Sequence, residues 1–151
     1  MYEASHPDLF GEDAPNTEFR YSEAAIDLAE VLVRTGEQER ADLLLELAFE
    51  RTQTLPRLGR YGYGIADVKF YALQGDKKRA LSALRQAIDE GWRRLWWYSL
   101  RLDPGLESLH DEPEYQAMVA EIEADMAAQL ARVRELQKSG ELTAIPELAA
   151  E

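Results

Sequence analysis

Apolar residues recur three and four positions apart along most of this chain, and that period predicts helices from one end to the other. The clearest stretch runs from Tyr61 to Trp92. Ile65, Val68, Phe70, Tyr71 and Leu73 predict a mostly apolar helix that Gly75-Asp76 stops. Ala80, Leu81, Leu84, Ala87 and Ile88 predict a second helix that ends before Gly91. Two helices joined by so tight a turn make a hairpin. Ala80 and Ala87 are small enough to let the partner helix approach, Leu84 fills the seam between them, and Lys77, Lys78 and Arg79 at the turn stay in water.

The same spacing places the other elements. Residues 1–15 mix Pro, Gly and charge without a period and read as an irregular arm, with Leu9 and Phe10 as its anchors. After the capping pair Asn16-Thr17, the positions Phe19, Ile26, Leu28, Ala29, Leu32 and Val33 predict a helix ending near Gly36. Ala41, Leu44, Leu45, Leu47, Ala48 and Phe49 predict its partner, which ends around Thr54 ahead of Pro56. Beyond Gly91, the segment WRRLWWYSLRLDP carries Trp92, Leu95 and Trp96 at helical spacing, as in the first helix of a third, degenerate element whose aromatic residues cover the end of the hairpin. Asp103-Pro104-Gly105 opens a short turn with Leu106 and Leu109. Asp111 reads as the cap of the longest helix, with Glu114 reaching back. Its stripe runs Tyr115, Met118, Val119, Ile122, Met126, Leu130, Val133, Leu136 as far as Gly140, and the tail from Glu141 to Glu151 follows. That stripe closes the open end of the stack. A coiled coil shares its spacing, so self-association into a homodimer is a further expectation.

One sentence of this sequence is written twice. Thr35-Gly36-Glu37-Gln38-Glu39-Arg40-Ala41, followed by Leu45 and Ala48, matches Gln74-Gly75-Asp76-Lys77-Lys78-Arg79-Ala80, followed by Leu84 and Ala87, at a constant offset of 39 residues, with Leu32 opposite Tyr71. A helix, a G-[DE]-x-x-x-A turn and Ala-xxx-Leu-xx-Ala resembles the tetratricopeptide repeat family, over roughly half the chain. The family's usual period is about 34 residues; here the segment Thr54-Leu55-Pro56-Arg57-Leu58-Gly59 lengthens it, and Ala25 stands where the family often has tryptophan. The expected fold is all-α, tetratricopeptide-like hairpins in an α-α superhelix closed by a long C-terminal helix. Repeat one spans about residues 17–54, repeat two 61–91, the third element 92–110 and the closing helix 112–138, with the arm 1–15 and the tail 139–151 outside the domain 16–138.

Asp103-Pro104, then Leu106 and Leu109, then Asp111, Pro113 and Tyr115 ahead of a long helix also resemble the C-terminal ends of certain bacterial signalling proteins. In those, a winged-helix DNA-binding domain or a class III adenylate cyclase domain is joined to tetratricopeptide repeats. The resemblance implies a sensory or interaction segment that lacks its output domain, a non-enzymatic module for a protein or peptide partner. Two repeats seldom stand alone, because each end of the stack exposes an apolar layer.

Charge sharpens that picture. The net charge of −12 is unevenly spread: residues 1–50 sum to −10, residues 51–102 to +7 and residues 103–151 to −9. Adjacent layers of opposite sign complement each other at their rims, each exposed pair contributing only about 0–1 kcal/mol. The alternative is a basic stripe for an acidic peptide or small anionic ligand. Nucleic acid is disfavoured, since the acidic flanks repel a phosphate backbone.

Nothing in the chain assembles catalytic chemistry. His6 and His110 lack metal-ligand spacing, there is no cysteine, and the serines have no nucleophile-elbow context, so no metal, cofactor or enzyme activity is expected. Gly59, Gly62 and Gly64 lack the strand and Gly-Lys-[Ser/Thr] of a phosphate loop and read as a turn. No run approaches a membrane span, and Met1 to Arg20 has no signal-peptide pattern, so a soluble chain, cytoplasmic or periplasmic, is expected. By repeat register the residues facing a peptide groove are Ile26, Glu30 and Val33 from repeat one and Ile65, Lys69, Ala72 and Leu73 from repeat two. Ile26 and Ile65 replace the basic residues of a carboxylate clamp, so the groove suits an amphipathic helix or an extended hydrophobic peptide, and Ile65→Asp is expected to abolish binding while leaving the fold intact. Trp92, Arg93, Arg94, Trp96 and Trp97 form a second candidate, an aromatic and basic patch.

Overall fold

Glycine punctuation and the apolar period together set the helices of this chain. The structure, a computed structural model, describes residues 19–60 and 62–142, leaving out the side chains of residues 19–24 and of residue 51. The arm, the Asn16-Thr17 cap, His6 and the tail beyond Leu142 lie outside the described residues. Those residues form α1 (Phe19–Thr35), α2 (Gln38–Thr52), α3 (Ala66–Leu73), α4 (Lys77–Asp89), α5 (Trp96–Arg101), a 3-10 turn (Pro104–Leu109) and α6 (Pro113–Ser139). No strand occurs among them, and the fold is all-α.

The α1–α2 and α3–α4 turns are built alike. Gly36 and Gly75 adopt left-handed φ values of 84° and 75°. In each, the glycine N–H donates to the carbonyl three residues back, Val33 or Ala72, and the next N–H reaches the carbonyl five residues back, Glu37 to Leu32 and Asp76 to Tyr71, both at 2.9 Å. The acid after each glycine then pairs with the arginine three residues on, Glu37 with Arg40 and Asp76 with Arg79, at 2.5 Å in both. The offset of 39 residues in the sequence is therefore an offset of equivalent backbone bonds and ion pairs. Burial repeats with it: Ala41 and Ala80, Leu45 and Leu84, Ala48 and Ala87 are all fully buried.

Two apolar clusters make the core. One joins α1 and α2 to Ala66 and Phe70 of α3, with Phe49 stacked on Phe70 at 4.2 Å. The other joins α3 and α4 to Trp92, Leu100, Leu106, Leu109 and the first half of α6, and Tyr71 packs against both. Each buried leucine contributes about 1.5–3 kcal/mol by leaving water. The 3-10 turn packs against α1, α3 and α4, where Leu106 and Leu109 are fully buried.

The third element departs from expectation. Its helix has only six residues, because Leu95 takes a left-handed conformation (φ 47°, ψ 30°) immediately before α5 and no helix can run through it. Trp92 precedes that break and is buried, while Leu95 is exposed and covers nothing. The cap of α6 is also corrected. Glu112, not Asp111, holds the N-cap position, without a capping side-chain bond. Its carboxylate is taken instead by Lys77, at 2.6 Å.

Candidate functional site

The loop between α2 and α3 shapes one wall of a concavity beside α1, α3 and α5. Arg57 is the reason it folds as it does. Its side chain is only 3% exposed, donates two bonds to Asp67 (2.8 and 2.9 Å) and one to the Gly64 carbonyl (2.8 Å), and reaches Glu90 at 2.9 Å. Gly62 sits so close to this strap that a Cβ there would lie 2.3 Å from the Arg57 carbonyl oxygen. The N–H groups of Gly62 and Gly64 donate to Gly59 and Arg57 carbonyls, so they are spent within the turn and cradle no phosphate.

That loop, α1, α3 and α5 enclose a cleft of about 470 Å³. Lys69 lies on its floor, its Nζ 2.8 Å from Asp27 and 3.1 Å from Asp103. Gly105 makes room for it, since a Cβ there would lie 2.9 Å from Lys69 Cε, and its N–H fixes the other oxygen of Asp103 at 3.0 Å. Burial works against the Lys69 charge, but the two carboxylates outweigh it and the pKa lies above the ordinary lysine value. At neutral pH this amine stays protonated and is no nucleophile. Beside it Glu30 accepts a bond from Arg34 at 3.1 Å, and Arg34 reaches Glu107 at 2.9 Å.

The mouth of the cleft is apolar and open to water. Val31 of α1, Leu95 and Tyr98 are 52%, 55% and 48% exposed, and all three line the cleft. The left-handed backbone at Leu95 costs of order 1–3 kcal/mol, and it turns this side chain out to the rim instead of into the core. Arg94 stands at the same rim, exposed and with no ion pair among the described residues.

Of the residues expected to face a groove, Ile26, Glu30, Ile65 and Lys69 do line this cleft, joined by Trp92 and Arg94. Ile26 and Ile65 form its covered back, at 2% and 7% exposure. The expectation that Ile65→Asp spares the fold is therefore corrected, because Ile65 belongs to the core cluster. Val33, Ala72 and Leu73 do not reach the cleft; they pack within the hairpins. The aromatic and basic patch is not one surface. Trp92 is buried, Trp96 packs partly buried on the core, Arg93 is held by Asp125 at 2.8 Å, and only Trp97 and Arg94 are exposed. His110 follows the 3-10 turn at its C-cap position; its Nε2 is enclosed with no hydrogen-bond partner among the described residues, and the ring lies 5.6 Å from Tyr115.

The basic middle of the chain is largely engaged. Lys77, Arg85, Arg93 and Arg101 pair with Glu112, Glu121, Asp125 and Glu123, at the N-cap and in the first half of α6. Among the described residues no group of three or more His, Cys, Asp or Glu side chains is placed to hold a metal, and no helix is long and apolar enough to cross a membrane. Register alone could not find Val31, Leu95 and Tyr98 as a set, since they meet only through the tertiary fold; the one local signal was an apolar Val31 lying off the buried stripe of α1. Compared with protein-family models, characterised proteins and solved structures, the chain matches none.

Proposed function

We propose that this chain is a non-enzymatic, tetratricopeptide-like interaction module that receives an extended apolar peptide of a protein partner in the cleft between α1 and α5. The repeat reading is supported by the equivalent turns at Gly36 and Gly75 and by the matching burial of their alanine and leucine positions. The resemblance at Asp103-Pro104, Leu106, Leu109, Pro113 and Tyr115 favours a role within a bacterial signalling or regulatory protein.

The observation that carries the binding reading is the cluster of Val31, Leu95 and Tyr98, half exposed around one concavity of ligand-sized volume. Large apolar side chains gathered at a cleft are what a peptide's side chains displace water from, and tyrosine is enriched among residues that dominate such contacts. Arg94 suits a carboxylate on the same peptide. A small anionic ligand at the basic middle has less support, because the bases there already have carboxylate partners.

Selection from a displayed library of random peptides tests the reading. Enriched sequences are expected to be apolar with a flanking acid, and Tyr98→Ala is expected to weaken them about tenfold or more with helical circular dichroism unchanged. Failure to enrich any peptide, or equal binding by Tyr98→Ala, would overturn it.

A further inference from the structure

The chain carries, ahead of its first helix, a short segment with the chemistry that the cleft calls for. The mouth of the cleft is set by Val31, Leu95 and Tyr98, three side chains about half exposed. Residues 1–18 lie outside the described residues. Between residues 3 and 18 the only large apolar side chains are the adjacent Leu9 and Phe10. Pro7 and Pro15 on either side disfavour a helix across that pair, so it suits docking as extended chain. Asp8 precedes the pair, and Arg94 at the cleft rim has no ion pair among the described residues.

The tether is long enough. Eight residues, 11–18, separate Phe10 from the start of α1 at Phe19. The part of α1 that lines the cleft runs from Ile26 to Val31, about 10–18 Å along the helix from Phe19. Nine residues of extended chain reach about 30 Å, so the pair can fold back along α1 to the mouth. Charge does little to choose the occupant. Asp27, Glu30 and Asp103 in the cleft are already bonded to Lys69 or Arg34, and one exposed pair between Asp8 and Arg94 adds little. The apolar pair and its tether are what select this segment.

We propose that Leu9 and Phe10 occupy the cleft of their own chain, between Val31 and the Leu95–Tyr98 rim with Asp8 beside Arg94, so that the arm and a partner's peptide compete for one site. The inference rests on the reading of the cleft as a peptide site. A short flexible tether sets an effective concentration in the millimolar range. With an intrinsic Kd of about 0.1 mM, the arm is then docked in roughly nine chains of ten, and a competing peptide binds about tenfold more weakly than to an open cleft. The partner gains access by displacing the arm.

The chain has no cysteine, so introduced thiols read the docked arm without any partner. In the full chain, Asp8→Cys with Arg94→Cys should close an intramolecular disulfide in a glutathione buffer. Adding Leu9→Asp with Phe10→Asp should lower its equilibrium constant about tenfold, while adding Tyr2→Asp should leave it unchanged. A disulfide indifferent to the Leu9→Asp and Phe10→Asp changes would overturn the proposal, and so would disulfide-linked dimers in its place, which would assign the arm to a second copy. Peptide affinity is the second readout. The full chain with Leu9→Asp and Phe10→Asp, its Asp8 and Arg94 intact, should bind a display-selected peptide about tenfold more tightly than the wild type, with helical circular dichroism unchanged. Equal affinity would overturn the competition. A disulfide that depends on Leu9 and Phe10, in a chain for which selection yields no peptide, would support the docked arm and overturn the partner reading alone.

Discussion

Removing the Arg57 guanidinium should destabilise this chain more than its place in a loop suggests. In Arg57→Met the Asp67 carboxylate loses both of its guanidinium bonds and keeps only the Val68 N–H at 3.0 Å. The Gly64 carbonyl and Glu90 lose a donor each. A buried ion left without its partner costs about 3–5 kcal/mol, a large part of the roughly 5–15 kcal/mol that stabilises a domain. For a chain of this size that loss lowers the melting temperature by about 10 °C. Replacing both partners, Arg57→Met with Asp67→Leu, removes the stranded charge, and most of the lost stability should return. Urea unfolding followed by circular dichroism on the wild type, both single variants and the double variant closes the cycle. A single Arg57→Met loss below about 1 kcal/mol would show that water reaches Asp67 and would refute the argument. Equal losses in the single and double variants would refute it too.

Two further predictions follow from the turns and the rim pairs. Bonds from Arg85 lower the Glu121 pKa and bonds from Arg93 lower that of Asp125, burial opposing both; these groups add stability above the ordinary carboxylate range of about 4 that is lost as pH falls through their depressed folded values. Glu121→Gln with Asp125→Asn should therefore flatten the fall of melting temperature on acidification, and an unchanged slope would count against the pairs. Gly62→Ala, whose Cβ would lie 2.3 Å from a backbone oxygen, should unfold the loop in urea titration, whereas Gly75→Ala meets nothing within 4 Å and pays only for its φ of 75°, about 1–2 kcal/mol.

The glycines made the helix ends readable. Gly36, Gly75, Gly91 and Gly140 all take positive φ at a helix terminus, and a glycine just past an apolar period is a local signal. The α1–α2 and α3–α4 hairpins were legible for the same reason. The third element was not, because Trp92, Leu95 and Trp96 keep helical spacing across a left-handed leucine that no residue type announces. Part of the cleft could be read from repeat register, namely Ile26, Glu30, Ile65 and Lys69. Register says which face points inward; it does not say which of those residues reach one cavity, and Val33, Ala72 and Leu73 pack within the hairpins away from it. The Arg57–Asp67 pair was illegible, since an arginine in a loop ordinarily points to water, and only the fold brings Asp67 and Glu90 to it.

The measurement closest to the central claim is backbone and methyl NMR of the labelled chain titrated with a peptide obtained by display selection. Shifts concentrated at Val31, Lys69, Leu95 and Tyr98, with the Gly75 turn and the tip of α6 unmoved, are the expected result. Shifts centred on the Gly75 turn, on Trp97 or on Leu130 and Val133, with the cleft residues silent, would contradict the assignment of the cleft as the peptide site.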